Sequence, residues 1–353
     1  MSWFLQLVAR GIPCFCGDTG TRPRVDLERT NLEKGRDEFA ATTPRTEAAV
    51  TEPLVHITNF RMDFGDKTVV RDLSFDVHAG ETFGFLGSNG SGKTTTLRAL
   101  LGIYQPTGGV LHIDGKVFEP RDGARLGYLP EERGLYKKEP VLDVMEYFGR
   151  LKGLSRAAAL TWSRGYLARV GLGDKASTRL DKLSGGQQQK IQLGVTIMNK
   201  PELLILDEPT QGFDPVNRRL LMDLIDEQKR GGATVIMVTH QMDEVERLCD
   251  RVILLKDGVA AAYGTVEEVQ DTFGATTIRV DCSGQVAPSE LYDVVSADPH
   301  TVILAPRPGA DAAEILRGLV TSGVGVRGFT TERTSLEEIF IRVYGEQHEL
   351  AAV

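Results

Sequence analysis

Long hydrophobic runs, cysteines and an excess of positive charge are all scarce in this sequence of 353 residues. No run reaches the roughly 18 apolar residues that a membrane span needs, so we do not expect the chain to cross a bilayer by itself. Acidic residues outnumber basic ones by 49 to 41, which disfavours a dedicated nucleic-acid binder. With 41% hydrophobic and 25% charged residues, the composition is that of a globular protein with one large and one small domain, or two of medium size.

The four cysteines, Cys14, Cys16, Cys249 and Cys282, are too few and too scattered for a disulfide framework. Cys14 and Cys16 would need a second pair of ligands to hold a metal, and no other Cys/His pair lies near them. The N-terminal stretch lacks the basic start of a secretory signal. We therefore expect a reduced, cytoplasmic setting.

The hydrophobic pattern divides the chain into three parts. Residues 1–53 are predicted to form a disordered extension, because 17–53 are polar, rich in charge and interrupted by prolines. Strands are predicted near 54–57, 73–77, 82–86, 203–206 and 235–238, with helical stretches before the last two. This alternation predicts an α/β fold with a largely parallel sheet. Strand signals vanish between 132 and 183, where helices over 141–151 and 157–170 predict a helical insertion.

A last unit, residues 275–353, has strand signals at 277–280 and 302–304 and helical signals at 311–320 and 335–344. These predict a small α/β domain. Nothing in it carries recognisable chemistry, so it could be a regulatory module, a dimer-stabilising module or a packed appendage.

One segment matches the phosphate-binding pattern G-x-x-x-x-G-K-[ST] between a predicted strand and a predicted helix. Its residues are Gly87, Ser88, Asn89, Gly90, Ser91, Gly92, Lys93 and Thr94. The glycines allow successive backbone amides to turn inward around phosphates, and the following helix offers its positive end. Lys93 is expected to reach the β- and γ-phosphates, and the Thr94 hydroxyl to bind magnesium.

Two carboxylates, Asp207 and Glu208, follow the buried strand at 203–206. A phosphoryl-transfer site needs one acid to hold magnesium and another to orient the attacking water, and we assign Asp207 to the first task and Glu208 to the second. Residues 183–187, LSGGQ, open another helix. Ser184 and Gln187 have capping-box spacing, but Gly185 and Gly186 are costly there unless something approaches the backbone closely. That helix start is also a ready anion site.

The ordered set GSNGSGKTT, LSGGQ, LLILDEP, GFDP and a later histidine resembles the nucleotide-binding subunit of ABC transporters over about residues 54–272. The resemblance implies a P-loop NTPase fold with N-terminal antiparallel strands and a helical subdomain at 132–183, ATP and magnesium as ligands, and membrane permease subunits as partners. It also implies a head-to-tail dimer, a homodimer or a heterodimer with a second ATPase subunit, in which each ATP lies between one subunit's glycine loop and the other's LSGGQ segment.

The resemblance extends to single residues. Thr95 belongs to the family's phosphate loop, and the nucleotide is expected to meet Ser184, Gly185, Gly186 and Gln187 of the other subunit. Phe64 resembles the aromatic that stacks on adenine, with a core phenylalanine as the alternative. Asp214 matches the loop that links the two sites across the dimer, and His240, at a strand's carboxyl end, matches the histidine that contacts the γ-phosphate.

The sequence departs from the family pattern at Glu131, where Tyr-x-Pro is usually followed by glutamine. Its carboxylate can still give magnesium an oxygen ligand. The alternative is that Glu131 is a solvated loop acid, and that the neighbouring Glu132 or neither residue contacts the metal. The surrounding phrase LPEERGLY, and Ser-Leu-Glu-Glu-Ile-Phe from Ser335, resemble the branch of exporter subunits that includes sodium-extrusion and drug-resistance systems.

These features favour an ATPase subunit that drives export at the inner face of the cell membrane, through permease subunits that select the transported substrate. A permease helix would dock on the helical segment, where the candidate contacts are Tyr136, Val141, Val144 and Phe148; the alternative is that these residues form its core. The competing hypothesis is a soluble ABC-type ATPase acting on DNA or ribosomes. One glycine loop, the lack of heptads and the net charge of -8 disfavour it.

Overall fold

A computed structural model describes residues 52–119, 123, 125–132, 134–274 and 277–350, with side chains up to residue 345. The predicted extension over 1–53 lies outside the described residues except for its last two, as do Cys14 and Cys16. No helix in the described part of the chain combines the length and the apolar content of a membrane span.

Two separate sheets organise the chain. Their strands are β1 (Val55–Phe64), β2 (Lys67–Val77), β3 (Thr82–Gly87), β4 (Gly108–Ile113), β5 (Leu126–Leu129), β6 (Leu203–Asp207), β7 (Thr234–Val238), β8 (Arg251–Lys256), β9 (Val259–Thr265), β10 (Thr277–Ser283), β11 (Tyr292–Ala297), β12 (Thr301–Pro306) and β13 (Gly325–Glu332). The nine-stranded sheet has the order β4-β1-β2-β9-β8-β3-β7-β6-β5, and the four-stranded sheet has the order β11-β12-β10-β13.

The helices are α1 (Lys93–Leu100), α2 (Val141–Leu151), α3 (Arg156–Arg169), α4 (Gly185–Ile197), α5 (Pro215–Arg230), α6 (Met242–Leu248), α7 (Val266–Phe273), α8 (Ala312–Thr321) and α9 (Leu336–Leu350). The predicted α/β fold with a largely parallel sheet core is therefore confirmed, with antiparallel strands at its N-terminal side.

Five neighbouring strands, β8, β3, β7, β6 and β5, run parallel. Every residue of β3, β6 and β7 is buried, because both faces of this part of the sheet are covered. The carboxyl ends of parallel strands meet at one edge. The segments that follow β3, β5, β6 and β7 therefore emerge side by side, although up to about 150 residues separate them in the sequence.

The segment between β5 and β6 is helical, as predicted, and its helices α2, α3 and α4 share a core. Three of the candidate permease contacts, Val141, Val144 and Phe148, are buried in that core, so their interpretation as a docking surface is wrong. Their helix must bury an apolar face to fold, and these residues form that face. Tyr136 packs at the edge of the core beside the exposed Tyr147.

The four-stranded sheet is antiparallel and packs one helix, α8, through Ile315 and Leu319. The described side chains of the last helix, α9, do not join the core of the four-stranded sheet of its own unit. Leu336 and Ile339 of α9 are buried in the core of the large sheet's helical layer instead. The C-terminal unit is thus tied to the first unit by its own last helix.

A tight contact in the helical segment allows a test of this packing. A Cβ on Gly194 of α4 would lie 2.4 Å from Cε1 of Tyr166, whose ring stacks on Trp162. We expect Gly194→Ala to lower the free energy of unfolding by about 1–2 kcal/mol, because overpacking outweighs the gain in helix propensity. Thermal and urea unfolding measure it.

Gly165 of α3 is the matched control, because an added Cβ there meets nothing within 4 Å. Gly165→Ala is expected to raise stability by about 0.5–1 kcal/mol through helix propensity alone. A Gly194→Ala protein as stable as Gly165→Ala would contradict the packing described.

Candidate functional site

The predicted phosphate loop connects β3 to α1 at the carboxyl edge of the parallel strands. Gly87 and Gly92 have φ values of 155° and 108°, which favour glycine. A Cβ on Gly87 would lie 2.6 Å from the carbonyl oxygen of Leu255, and one on Gly92 would lie 2.9 Å from Cγ2 of Val70. Both positions therefore require glycine, since any side chain would push the loop away from β8 and β2.

Lys93 lies at the centre of this loop. Its Nζ donates hydrogen bonds to the carbonyl oxygens of Gly87 at 2.7 Å and Ser88 at 3.0 Å. Burial lowers the pKa of the Lys93 ammonium. The carboxylates of Glu208, Asp207 and Glu131 act in the opposite direction, so the structure brings the three predicted acids within electrostatic reach of the loop lysine.

Asp207 is almost fully buried at the end of β6. Burial raises its pKa to about 7, and the negative charges of Glu131 and Glu208 act in the same direction. Like charges held together out of water favour the neutral acid unless a cation compensates them. A cation bound beside Asp207 would lower this pKa again.

Glu208 and His240 face each other across neighbouring strand ends. His240 Nδ1 lies 2.9 Å from both carboxylate oxygens of Glu208, and Gln241 Nε2 lies 3.0 Å from His240 Nε2. An amide NH₂ only donates, so this network assigns the proton to Nδ1 and leaves Nε2 as the acceptor.

The backbone of Glu208 is held as firmly as its side chain. Its φ is 49°, a left-handed conformation that is rare outside glycine, and its N–H donates to the carbonyl oxygen of Val238 at 2.8 Å. Glu208 thus combines a strained backbone with a carboxylate that lies against His240 at the sheet edge. Sequence reasoning predicted the residue but not the strain.

Magnesium ligands predicted from the sequence are Thr94, Asp207 and Glu131. Thr94 lies half-buried in the first turn of α1, and the charges of Asp207 and Glu131 act on each other. Oxygen donors with uncompensated negative charge are what magnesium prefers, so these residues fit the ion. Across the described ranges, three His, Cys, Asp or Glu side chains do not converge into a ready cluster.

Sequence reasoning missed Gln192, which holds the segment that carries Glu131. Its Nε2 lies 3.3 Å from the carbonyl oxygen of Pro130 and 3.2 Å from that of Glu132. Gln192 lies inside α4, the helix that the LSGGQ segment opens, and is buried. A glutamine within an otherwise buried helical run was the available signal, since buried amides need partners.

The start of α4 is capped as its sequence predicts. Ser184 N–H donates to Gln187 Oε1 at 2.9 Å, and Gln187 N–H donates to Ser184 Oγ at 3.3 Å. A Cβ on Gly186 would lie 3.2 Å from Cε1 of Phe213. The paired glycines suggested that some group approaches this backbone closely. At Gly186 that group is the Phe213 ring of the same chain.

Asp214 caps α5. Its Oδ1 accepts backbone N–H bonds from Val216 and Asn217, each at 3.0 Å. The bonds from Asn217, backbone first, hold the pKa of the Asp214 carboxyl below its usual value. This capping contact is an intrachain role; the predicted link between two sites remains a prediction.

Phe64 is 46% exposed at the end of β1, edge-on to Tyr104 with ring centroids 5.3 Å apart. The alternative of a core phenylalanine is therefore wrong. Val70 of the same hairpin lies close to where a Cβ on Gly92 would be, so the hairpin runs beside the phosphate loop. Adenine stacking by Phe64 remains a prediction.

A buried polar group behind the site was also missed. Thr210 Oγ1 donates to Glu244 Oε1 at 2.5 Å, and Arg218 Nε lies 3.6 Å from the same carboxylate. Glu244 is 1% exposed, and burial raises its pKa. It ties α6 to the turn that follows Glu208, a contact between elements that no local pattern reveals.

Three features define a P-loop ATPase: a glycine loop with a half-buried lysine after β3, two carboxylates at the end of β6, and a histidine after β7, which lies between β3 and β6 in the sheet. Known families agree. The family described as "ABC transporter" matches residues 70–211, and that described as "ATP-binding protein DrrA1-3-like, C-terminal domain" matches residues 264–344.

Two relatives and one solved structure illustrate the similarity. An uncharacterized ABC transporter ATP-binding protein of Methanocaldococcus jannaschii is 44% identical over 62% of this chain and 80% of its own length. Nod factor export ATP-binding protein I of Burkholderia lata is 34% identical over 83% and 97%. A solved "ATP binding subunit of ABC transporter" superimposes with a TM-score of 0.57 at 28% identity, covering 62% of this chain and 93% of the other.

The chain belongs to the ATP-binding subunits of ABC transporters. Its nucleotide-binding domain is of the class that hydrolyses ATP to drive transport, and such subunits dimerise and work with membrane permease subunits.

The charge of Glu131 generates a prediction. Without magnesium its carboxylate repels a bound triphosphate, so Glu131→Gln is expected to keep measurable ATPase activity and to lessen the loss of ATP affinity when magnesium is removed. Glu131→Ala, which removes the oxygen altogether, is expected to cost more activity than Glu131→Gln. ATP affinity with and without magnesium measures the effect.

Glu132→Gln is the matched control, since this exposed neighbour is outside the predicted ligand set. It is expected to show the metal dependence of the wild type. Identical metal dependence in the wild type and both Glu131 variants would rule out the ligand role.

Proposed function

We propose that this chain powers an exporter by binding and hydrolysing magnesium-ATP between two ATPase subunits. The observation that carries the proposal is the convergence of Lys93, Asp207, Glu208 and His240 at the carboxyl ends of β3, β6 and β7. One relative bears on the direction of transport, because its name describes an export protein. The C-terminal unit matches the C-terminal domain of DrrA1-3-like ATP-binding proteins.

In the proposed site the loop amides and Lys93 bind the β- and γ-phosphates. Lys93 Nζ already donates hydrogen bonds to two loop carbonyl oxygens, and phosphate oxygens can accept further bonds from it. Thr94, Asp207 and Glu131 would hold magnesium. When bound, the ion would neutralise part of the phosphate charge.

Glu208 would orient and deprotonate the attacking water. Its bond from His240 Nδ1–H fixes the carboxylate at the sheet edge, and strand pairing through Val238 fixes its backbone. A carboxylate held in this way loses little entropy when it takes the proton. Phe64 would stack on the adenine.

Glu208→Gln tests this assignment. The variant is expected to bind ATP about as well as the wild type but to lose at least about 100-fold in kcat, because an amide cannot accept the water's proton. Steady-state ATPase rates and equilibrium ATP binding separate the two quantities. Glu314→Gln, an exposed acid on α8, is the control and should behave as the wild type. A Glu208→Gln enzyme with a normal rate would refute the base assignment.

The exposed Ser184 and the start of α4 would complete the site of a second subunit. Backbone amides at a helix start attract a γ-phosphate. The intrachain capping box leaves this geometry preformed, since it orients the serine and the first turn without a ligand. A homodimer has two such sites, and they are identical. In a heterodimer with another ATPase subunit, each subunit contributes its phosphate loop to one site and its helix start to the other.

Mixing two inactive variants tests the shared site. Ser184→Arg should bind ATP but not turn over, because the side chain fills the space of the partner's γ-phosphate, and Lys93→Ala should lose ATP binding. In an equal mixture half the dimers are mixed and hold one intact site of two, so about a quarter of the wild-type rate is expected. A fully active Ser184→Arg variant, or no recovery in the mixture, would contradict a shared site in a homodimer.

The permease would dock on the helical segment at the cytoplasmic face of the membrane. With Val141, Val144 and Phe148 in the core, the candidate contacts are Tyr136 and Tyr147, whose rings meet edge-on at 5.7 Å. Tyrosines of this kind suit an interface because they combine apolar area with a polar tip. The relatives do not favour a soluble ATPase acting on DNA or ribosomes.

A further inference from the structure

The last helix, α9, docks on the ATP-binding unit through several kinds of contact. Leu336 N–H donates to Glu246 Oε1 at 2.6 Å, and Arg342 Nη1 donates to the carbonyl oxygen of Phe273 at 3.3 Å. Lys256 Nζ, at the end of β8, donates to the carbonyl oxygen of Val343 at 2.5 Å. With Leu336 and Ile339 in the core, these bonds hold the helix against α6, α7 and β8.

The helix delivers one hydroxyl to the phosphate loop. Tyr344 Oη accepts a hydrogen bond from the backbone N–H of Ser88 at 3.1 Å and donates to the carbonyl oxygen of Leu255. Its ring packs on Phe340 with centroids 4.3 Å apart, and Lys256 Nζ lies 5.9 Å from the ring centroid. A hydroxyl with one donor and acceptor capacity is well suited to this pair of partners.

The bond to Ser88 reaches Lys93 through a single peptide unit. The N–H of Ser88 and the carbonyl of Gly87 belong to the same planar trans peptide and point in opposite directions. Tyr344 holds the N–H side, and Lys93 Nζ donates to the carbonyl side at 2.7 Å. Because the peptide is planar, fixing the Ser88 N–H also fixes the direction of the Gly87 carbonyl that Lys93 contacts.

We propose that Tyr344 is a positioning residue for Lys93, through which docking of the C-terminal helix tightens ATP binding. The proposal rests on the assignment of Lys93 as the phosphate-binding lysine. Tyr344 approaches the loop from the side of β8, where it also bonds Leu255, and so does not compete with the lysine for the phosphates. By thermodynamic linkage, ATP binding must stabilise the docked helix by the same factor.

Tyr344→Phe isolates the hydroxyl, because the ring and its packing on Phe340 are kept. Losing these bonds is expected to weaken ATP binding about 3- to 10-fold and to raise KM by a similar factor, with kcat changed less than about twofold. The measurements are equilibrium ATP binding and steady-state ATPase kinetics on the full chain.

Tyr292→Phe is the matched control. It also removes a hydroxyl from the C-terminal unit, one that donates to the carbonyl oxygen of Ala287 at 3.0 Å within that unit. It is expected to leave ATP affinity unchanged. An equal loss in both variants would mean that general loosening of the C-terminal unit is responsible, and would overturn the proposal.

Hydrogen exchange gives a readout that does not depend on ATP. Deuterium uptake in the peptide that spans the phosphate loop is expected to rise in Tyr344→Phe and not in Tyr292→Phe, because the Ser88 amide loses its acceptor. Faster exchange with unchanged ATP affinity would make the contact purely structural and overturn the proposal, as would no change in either.

Lys93→Ala separates this inference from the function on which it rests. If Lys93→Ala abolishes ATP binding while Tyr344→Phe binds as the wild type does, the positioning role alone fails. If Lys93→Ala binds ATP normally, the phosphate-loop assignment itself fails.

Discussion

Parallel pairing of β3, β5, β6 and β7 is the constraint on which the rest of the structure depends. It brings to one edge a lysine and three carboxylates from distant parts of the chain, and their charges act on each other there. Burial lowers the pKa of Lys93 and raises that of Asp207, and the attraction between the two charges opposes both shifts without cancelling them. The site is therefore a product of strand order more than of any one loop.

The supports of the site come from the same chain but from other layers. Gln192 holds the segment of Glu131 from α4, Phe213 packs on Gly186 at the start of that helix, and Glu244 holds Thr210 from α6. Each contact joins the loop after a strand to a helix from another part of the chain. Through Gln192, the helix that opens with the LSGGQ segment is hydrogen-bonded to the residues on both sides of Glu131.

The C-terminal unit differs from a simple appendage for a related reason. Its sheet closes its own small core with α8, whereas α9 buries Leu336 and Ile339 in the larger unit and carries Tyr344 to Ser88. The sequence of an amphipathic helix shows that its apolar stripe must be buried, but it does not show which element the stripe packs against. Its actual partner couples the two units at the phosphate loop.

Much of the site could be predicted from the sequence, because its residues lie in local patterns with chemical reasons. Lys93, Asp207, Glu208 and His240 each follow a readable strand, and Ser184 and Gln187 have capping spacing. Only the tertiary structure decided the burial of Val141, Phe148 and Phe64. It also decided the hydrogen-bond partners of Gln192 and Tyr344. The physical reason is that strand periodicity, loop glycines and helix caps act over a few residues. The hydrogen bonds of Gln192 and Tyr344 instead join residues 60 to 256 positions apart, whose meeting depends on the packing of the whole chain.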